Sequence, residues 1–297
     1  MCKINPRVDF AFKLIFGREQ NKDILISLLN SILEDYQPRP IASIEILNPF
    51  GSKEYERDKL TILDIRARDD KGEFYNIEMQ ITDQYYYNKR ATYYWARLYS
   101  SQLGEGREYN NLKRTVSINI LNFNRLEEKD YHSVYRIKNL RNNKDLHDQL
   151  EIHFIELEKF TKELPDLQKT LDRWIYFLKY AEKFTGYNLP VPLKEIDTIE
   201  KAIRILDKMS LTEEEREIYE ARLKALRDES GALETARIKG IEEGIKKGIE
   251  KGIEKGIEEG IKKGIEKGKI DSARKMLQAG IDRKEIARIL EIEENKF

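Results

Sequence analysis

The chain has 297 residues, 40% hydrophobic and 36% charged, enough to bury one substantial core and to carry an appendage. Its 54 Lys and Arg balance 54 Asp and Glu, so no global positive field draws it to nucleic acid, and any basic surface must be local. A single cysteine, Cys2, excludes an internal disulfide, no Cys/His spacing matches a zinc site, no run of ~18 apolar residues suits a membrane span, and MCKINPRVDFAF is not a secretory signal, so the expected setting is cytoplasmic, without membrane.

DFAFKLIFG and ILISLLNSILEDY have helical apolar spacing, and the second stops at Gln37-Pro38-Arg39-Pro40, where proline ends the pattern. Three alternating runs, IASIEIL, LTILDIRA and FYNIEMQI, predict strands. A Tyr-rich helix over about 85–103 and a further strand, TVSINILNF, follow. YHSVYRI and LEIHFIEL read as two more strands, and from LQKTLDRWIYFLKYAEKF to residue 237 the spacing is helical. His132, His147 and His153 follow no ligand spacing and read as incidental, and Trp174 reads as core.

Between residues 240 and 268 a glycine recurs at every fourth position, followed by isoleucine or finally lysine, with Glu and Lys in the remaining places. A period of four on a helix of ~3.6 residues per turn keeps the isoleucines on one drifting ridge beside a groove of glycines, a contact surface suited to a second copy of the chain. Each interior glycine costs roughly 1 kcal/mol relative to alanine, so the segment is expected to be a poor helix without a partner, and the alternative is a frayed charged linker. The tail reads as two short helices, ARKMLQAG and IDRKEIARILEI, with Gly280 after a helix end and Asp282 with Glu285 as a capping-box pattern. It is either a small packing hairpin or the opening of a helix-turn-helix. The expected division is residues 1–237, the repeat at 238–268 and the tail at 269–297.

The residues most suggestive of chemistry lie in LTILDIRARDDKGEFYNIEMQIT. Period two sorts Asp64, Arg66 and Arg68 onto one face of the first strand, and Asn76, Glu78 and Gln80 onto one face of the next. Asp70-Lys71-Gly72 is a hairpin loop with Gly72 at a positive φ, so that Asp69 pairs with Glu73 and Asp64 lies opposite Glu78. Facing Cβ atoms are ~5 Å apart, which suits joint coordination of one hard cation, Mg²⁺ or Mn²⁺; otherwise Arg66 and Arg68 compensate the repulsion. Such a cation can lower the pKa of bound water and offset charge developing on a phosphodiester, with Gln80 orienting the water. The bland alternative is the polar side of a half-exposed sheet. In YYYNKRATYYWARLYSSQL, Tyr86, Arg90, Tyr93, Tyr94 and Arg97 lie within helical reach of one another and could line a DNA groove; the alternative is an amphipathic helix burying Trp95 and several tyrosines.

With VDFAFKLIFG first, then D-(x13)-E-x-Q across a hairpin, then NKRATYYWARLYSSQL, the chain resembles the Rpn family of recombination-promoting nucleases, the PD-(D/E)XK nuclease family transposases. The glycine-isoleucine repeat and short helical tail are also typical of such proteins. The resemblance implies an α/β fold with a restriction-endonuclease-like PD-(D/E)XK core, a mixed sheet flanked by helices, and a helical C-terminal extension. It implies a metal-dependent DNA endonuclease associated with recombination or transposition, in which Asp64 and Glu78 hold the ion. Gln80 stands where the usual motif has lysine, a departure that removes a charge and a titratable proton. Lys13 and Lys89 are candidates to replace that lysine, though both otherwise read as surface residues. Asp9 matches the family's first acidic block as an additional metal ligand, or else is the N-cap of the first helix. Arg66, Arg90, Tyr94 and Arg97 are the expected DNA contacts. The rival expectation is a nuclease fold that has lost turnover and binds DNA or protein, with the repeat driving self-association.

Overall fold

In the computed structural model the described residues are 4–48, 64–104, 106, 108–208 and 212–297, with Asp64, Lys208 and Glu214 described by backbone alone. The predicted start of the second strand at residues 60–63, and Cys2, lie outside them. The chain divides into two compact units, Met1–Glu229 and Ser230–Phe297.

The first unit is built on a six-stranded sheet in the order β1-β2-β3-β4-β6-β5. Its strands are β1 (Ile44–Ile46), β2 (Asp64–Asp69), β3 (Phe74–Gln80), β4 (Thr115–Leu121), β5 (His132–Tyr135) and β6 (Leu150–Glu156). The pairs β1·β2, β2·β3 and β5·β6 are antiparallel, and β3·β4 and β4·β6 are parallel. A parallel neighbour requires a crossover, and between β3 and β4 this is the helix α3 (Tyr87–Ser100), numbered after α1 (Asp9–Phe16) and α2 (Lys22–Leu33). The chain continues through α4 (Thr170–Tyr180), α5 (Val191–Lys194) and α6 (Asp197–Lys208) into α7 (Glu213–Gln278), and ends with α8 (Arg283–Leu290). This mixed sheet with helices on its faces is the expected fold class.

Period two decides what each face packs against. Ile65, Ala67, Tyr75, Ile77, Met79, Val116, Ile118 and Ile120 join α1, α2, α4 and α6 in the main core. On the opposite face Tyr87, Ala91 and Trp95 of α3 cover Leu121, Ile152 and Phe154. Asn76 and Glu78 on β3, and Ser117 and Asn119 on β4, lie buried as well. The reading of this hairpin face as a half-exposed polar surface holds for Arg66 and Arg68 on β2 but not for Asn76 and Glu78, because β3 is an interior strand roofed by α3.

α1 is apolar nearly all round and buried accordingly, and α7 supplies part of its cover through Tyr219, whose hydroxyl accepts from the Asn5 amide at 2.8 Å. The expectation that Lys13 is a surface residue fails for this reason: it is 4% exposed. Trp174, fully buried, is core as predicted.

A buried ionic network fastens the amino ends of the parallel strands. Arg114 donates to Glu73 at 3.2 Å and to Glu151 at 2.6 Å, and Arg136 donates through Nε to Glu151 at 2.6 Å. His153 Nε2 lies 2.8 Å from Glu151, and its Nδ1 lies 2.9 Å from His132 Nε2. With Glu151 ionised, the consistent pattern is His153 donating to Glu151 and His132 donating to His153, both rings neutral. Burial, reinforced by the neighbouring ring, pushes His132 down to about 3, and burial also depresses His153. Burial pushes Glu151 up, but the hydrogen bond from His153 and the two guanidiniums outweigh it and hold the carboxyl at about 2. His132 and His153 are thus not incidental; only His147, exposed and accepting from the Gln149 amide, is peripheral.

In the second unit the repeat is helical throughout and continuous with ARKMLQ, so the first of the two expected tail helices is the end of α7 rather than a separate element. Gly280, at φ +88°, ends it. Asp282 caps α8 by accepting from the Lys284 and Glu285 amides.

Candidate active site

The hairpin that carries the acidic pair forms as its residues dictate. Gly72 has φ +81° and donates its amide to Asp69, the Asp69 amide donates to Glu73, and the Asp69 carboxylate accepts from the Lys71 and Glu73 amides. The loop fixes the register, and Asp64 pairs with Glu78, Ile65 with Ile77 and Arg66 with Asn76.

Glu78 is 4% exposed, and Asn76, Tyr87 and Arg90 are among the groups that meet its carboxylate. Asn76, two residues back on the same face, donates to Oε1 at 3.3 Å. Tyr87, at the start of α3, approaches Oε2 at 3.3 Å and Asn119 Oδ1 at 3.1 Å, so a single phenolic proton serves two acceptors. Burial, followed by the charge of Glu78, raises the Tyr87 pKa well above its ordinary value, which keeps the phenol a donor. Arg90, one turn along α3, places Nη2 3.5 Å from Glu78 Oε2 while Nη1 donates to Gln84 at 2.8 Å. Its guanidinium lies over the rings of Tyr87 and Tyr94, 5.7 and 5.5 Å from their centroids.

The other predicted residues fall at graded distances from this centre. Gln80 ends β3 on the face of Glu78, and its amide donates to the Thr82 carbonyl at 3.2 Å. Arg66 is half-buried, paired across the sheet with Asn76. Arg97 and Tyr93 are exposed on the outer side of α3, whereas Tyr94 is half-buried under Arg90. Lys89 is exposed and lies over the ring of Tyr86, away from the centre's buried side. Asp9 is the first residue of α1, not its N-cap, a place held by Val8, and its carboxylate is 3.6 Å from the Arg222 guanidinium. Its helix packs against β2 and β3, the strands that carry the acidic pair.

Sequence reasoning passed over Tyr87 and Asn119. The alternation Ser117, Asn119 in TVSINILNF marks a polar face, but nothing local states that β4 runs parallel to β3 with Asn119 beside Glu78. A cationic rim was also missed near the carboxyl ends of the parallel strands. There Arg7 donates to Asn122 at 2.9 Å, and Arg125 pairs with Asp83 at 3.8 Å.

The donor set fits a hard divalent cation. Glu78 offers carboxylate oxygens at the strand position opposite Asp64, the pairing of two acidic residue types that such a cation takes. Among the described residues no group of three or more His, Cys, Asp or Glu side chains converges.

The family model for PD-(D/E)XK nuclease family transposases matches residues 6–236, which takes in all of the sheet and each residue of this constellation. No curated protein and no solved structure matches the chain.

Proposed function

Because the chain belongs to the PD-(D/E)XK nuclease family transposases, we propose that it is a divalent-metal-dependent DNA endonuclease acting in recombination or transposition within the cytoplasm. The observation that carries this reading is Glu78, a buried carboxylate in register with Asp64, at the floor of a site roofed by an arginine- and tyrosine-bearing helix. Asp64 and Glu78 would hold Mg²⁺ or Mn²⁺, with Asp9 as a further contact. When bound, the ion supplies an acidified water and offsets charge on the scissile phosphate.

The chain's own residues do the rest. Asn76 and Tyr87 orient the Glu78 carboxylate, and Arg90 supplies the positive charge that Gln80 lacks. Gln80 positions the attacking water as a neutral donor and acceptor, and Arg66 on β2 with Tyr94 and Arg97 on α3 hold the DNA backbone. Lys13, buried in the helix that packs on β2 and β3, would be a second source of positive charge.

The test is nicking and linearisation of a supercoiled plasmid by the purified chain with Mg²⁺, Mn²⁺ or chelator. Metal-dependent cleavage that Asp64→Ala and Glu78→Ala each abolish, with folding retained, supports the enzyme. Gln80 and the guanidinium beside Glu78 favour one rival, a nuclease fold that binds DNA without cutting it. Retained DNA affinity with no cleavage under any divalent ion would establish that rival and overturn the proposal.

A further inference from the structure

Three large aromatic rings stand in water beside the candidate site, where the fold gains little from them. Tyr85, Tyr86 and Tyr93 are 76%, 64% and 62% exposed, although the neighbouring Tyr87 is wholly buried against Glu78. Single exposed aromatics are ordinary on a protein surface. These three fall within nine residues, and Tyr86, at the N-cap of α3, lies seven residues before Tyr93, so the two share one side of the helix.

Each ring is braced by a neighbour. The Arg125 guanidinium lies over Tyr85, 5.5 Å from its centroid, and donates to the Tyr85 carbonyl while pairing with Asp83 at 3.8 Å, so the turn before α3 is fastened to the segment after β4. Lys89 Nζ lies 5.3 Å from the centroid of Tyr86. Tyr85 and Tyr86 meet edge to face at 4.9 Å, and Tyr93 meets Tyr94 at 5.6 Å with the ring planes 71° apart. A cation over one face of a ring leaves the other face open. Lys89 follows Tyr86 and Arg97 follows Tyr93 by about one turn, so positioned ring faces alternate with positive charge along the outer side of the helix.

This arrangement separates two states of DNA. In a duplex the bases cover one another and present only edges and phosphates, so an exposed tyrosine face finds nothing to stack on. A single strand presents its base faces, and aromatic rings interleaved with cations hold it without reading its sequence. The overall charge points the same way, because 54 Lys and Arg against 54 Asp and Glu leave no wide positive field for a duplex backbone, whereas stacking does not depend on net charge. We infer that Tyr85, Tyr86 and Tyr93, with Lys89 and Arg97, form a stacking platform for unpaired bases, and that the site takes DNA with a single-stranded stretch seated along α3. The inference rests on the nuclease reading for its choice of DNA and names the strand state that reading leaves open.

The test is fluorescence anisotropy of the full chain in chelator, so that nothing is cut, with a labelled thymidine strand of about 30 nucleotides, an abasic deoxyribose-phosphate strand of the same length and a duplex of that length. The thymidine strand should bind on the order of tenfold more tightly than either of the others. Tyr86→Leu with Tyr93→Leu, both exposed changes, should weaken its binding on the order of tenfold, toward that of the abasic strand. Tyr86→Phe with Tyr93→Phe keeps the rings and loses the hydroxyls, and should bind as the unsubstituted chain does, which separates stacking from hydrogen bonds to phosphate. Urea unfolding of both variants checks that the fold is kept. Equal affinity for the thymidine and abasic strands, tighter binding of the duplex, unaltered affinity in the leucine variant or a matching loss in the phenylalanine variant would each overturn the proposal. The nuclease reading is decided separately, by metal-dependent plasmid cleavage, whichever strand state is preferred.

Discussion

Acidification from pH 7.5 to 5 should loosen the first unit, and the effect should trace to the buried His132–His153 pair. The fold holds His132 at about 3 against 6.5 for a free imidazole, because the ring is buried and stacked on His153. A depressed folded pKa means that the unfolded chain binds the extra proton first. The associated stability is therefore complete above about pH 6.5 and is lost as pH falls toward 3. Each proton so linked gives a slope of about 1.4 kcal/mol per pH unit, so His132 alone removes about 2 kcal/mol between pH 7.5 and pH 5. His153, depressed by the same burial, adds to the slope within its own window. Staying above pH 5 keeps Glu151 ionised, since it is held at about 2. Urea unfolding followed by tryptophan fluorescence measures this cleanly, because both tryptophans, Trp95 and Trp174, lie in the first unit and report it alone. His132→Gln, which retains a donor and an acceptor but cannot titrate, should flatten the dependence between pH 5 and 7.5. An unchanged slope in that variant would refute the assignment of the proton to this ring pair.

Three further outcomes follow from the same contacts. Glu151→Ala leaves the Arg114 and Arg136 guanidiniums facing an emptied buried site, and denaturant titration at pH 7 should show a loss of about 3–5 kcal/mol. Tyr87→Phe removes the phenol between Glu78 and Asn119 and should cost about 1 kcal/mol in the same titration, while weakening metal-dependent cleavage through misorientation of Glu78 rather than loss of a ligand. Arg97→Ala, an exposed change on the outer side of α3, should leave stability unaltered and lower the slope of log affinity against log salt for DNA by about one, a shift readable by fluorescence anisotropy.

What could be read in advance depended on whether the determinant was local. The hairpin was legible because Gly72 and the alternating flanks of one short stretch specify loop, register and facing pair together. The burial of Asn76 and Glu78 was not, since that depends on β4 pairing parallel to β3 after a crossover of more than thirty residues, and on α3 folding back over both. Lys13 was misread as a surface lysine because its residue type outweighed its context, a helix with apolar neighbours on every side. Glu151 and His153 did carry a signal, two polar groups on the same face of an otherwise apolar strand. Their meaning lay in Arg114 and Arg136, which come from elsewhere in the chain.

The crossover helix has two duties that its short length fuses. Tyr87 and Arg90 on its inner side grip Glu78, while Tyr93 and Arg97 face outward on the same rigid rod of 14 residues. On the proposed reading, DNA held by the outer side chains would tilt the inner ones with them, so grip on the polymer would be geared to the posture of the carboxylate. Strengthening one without disturbing the other would require changes on both sides of the rod at once.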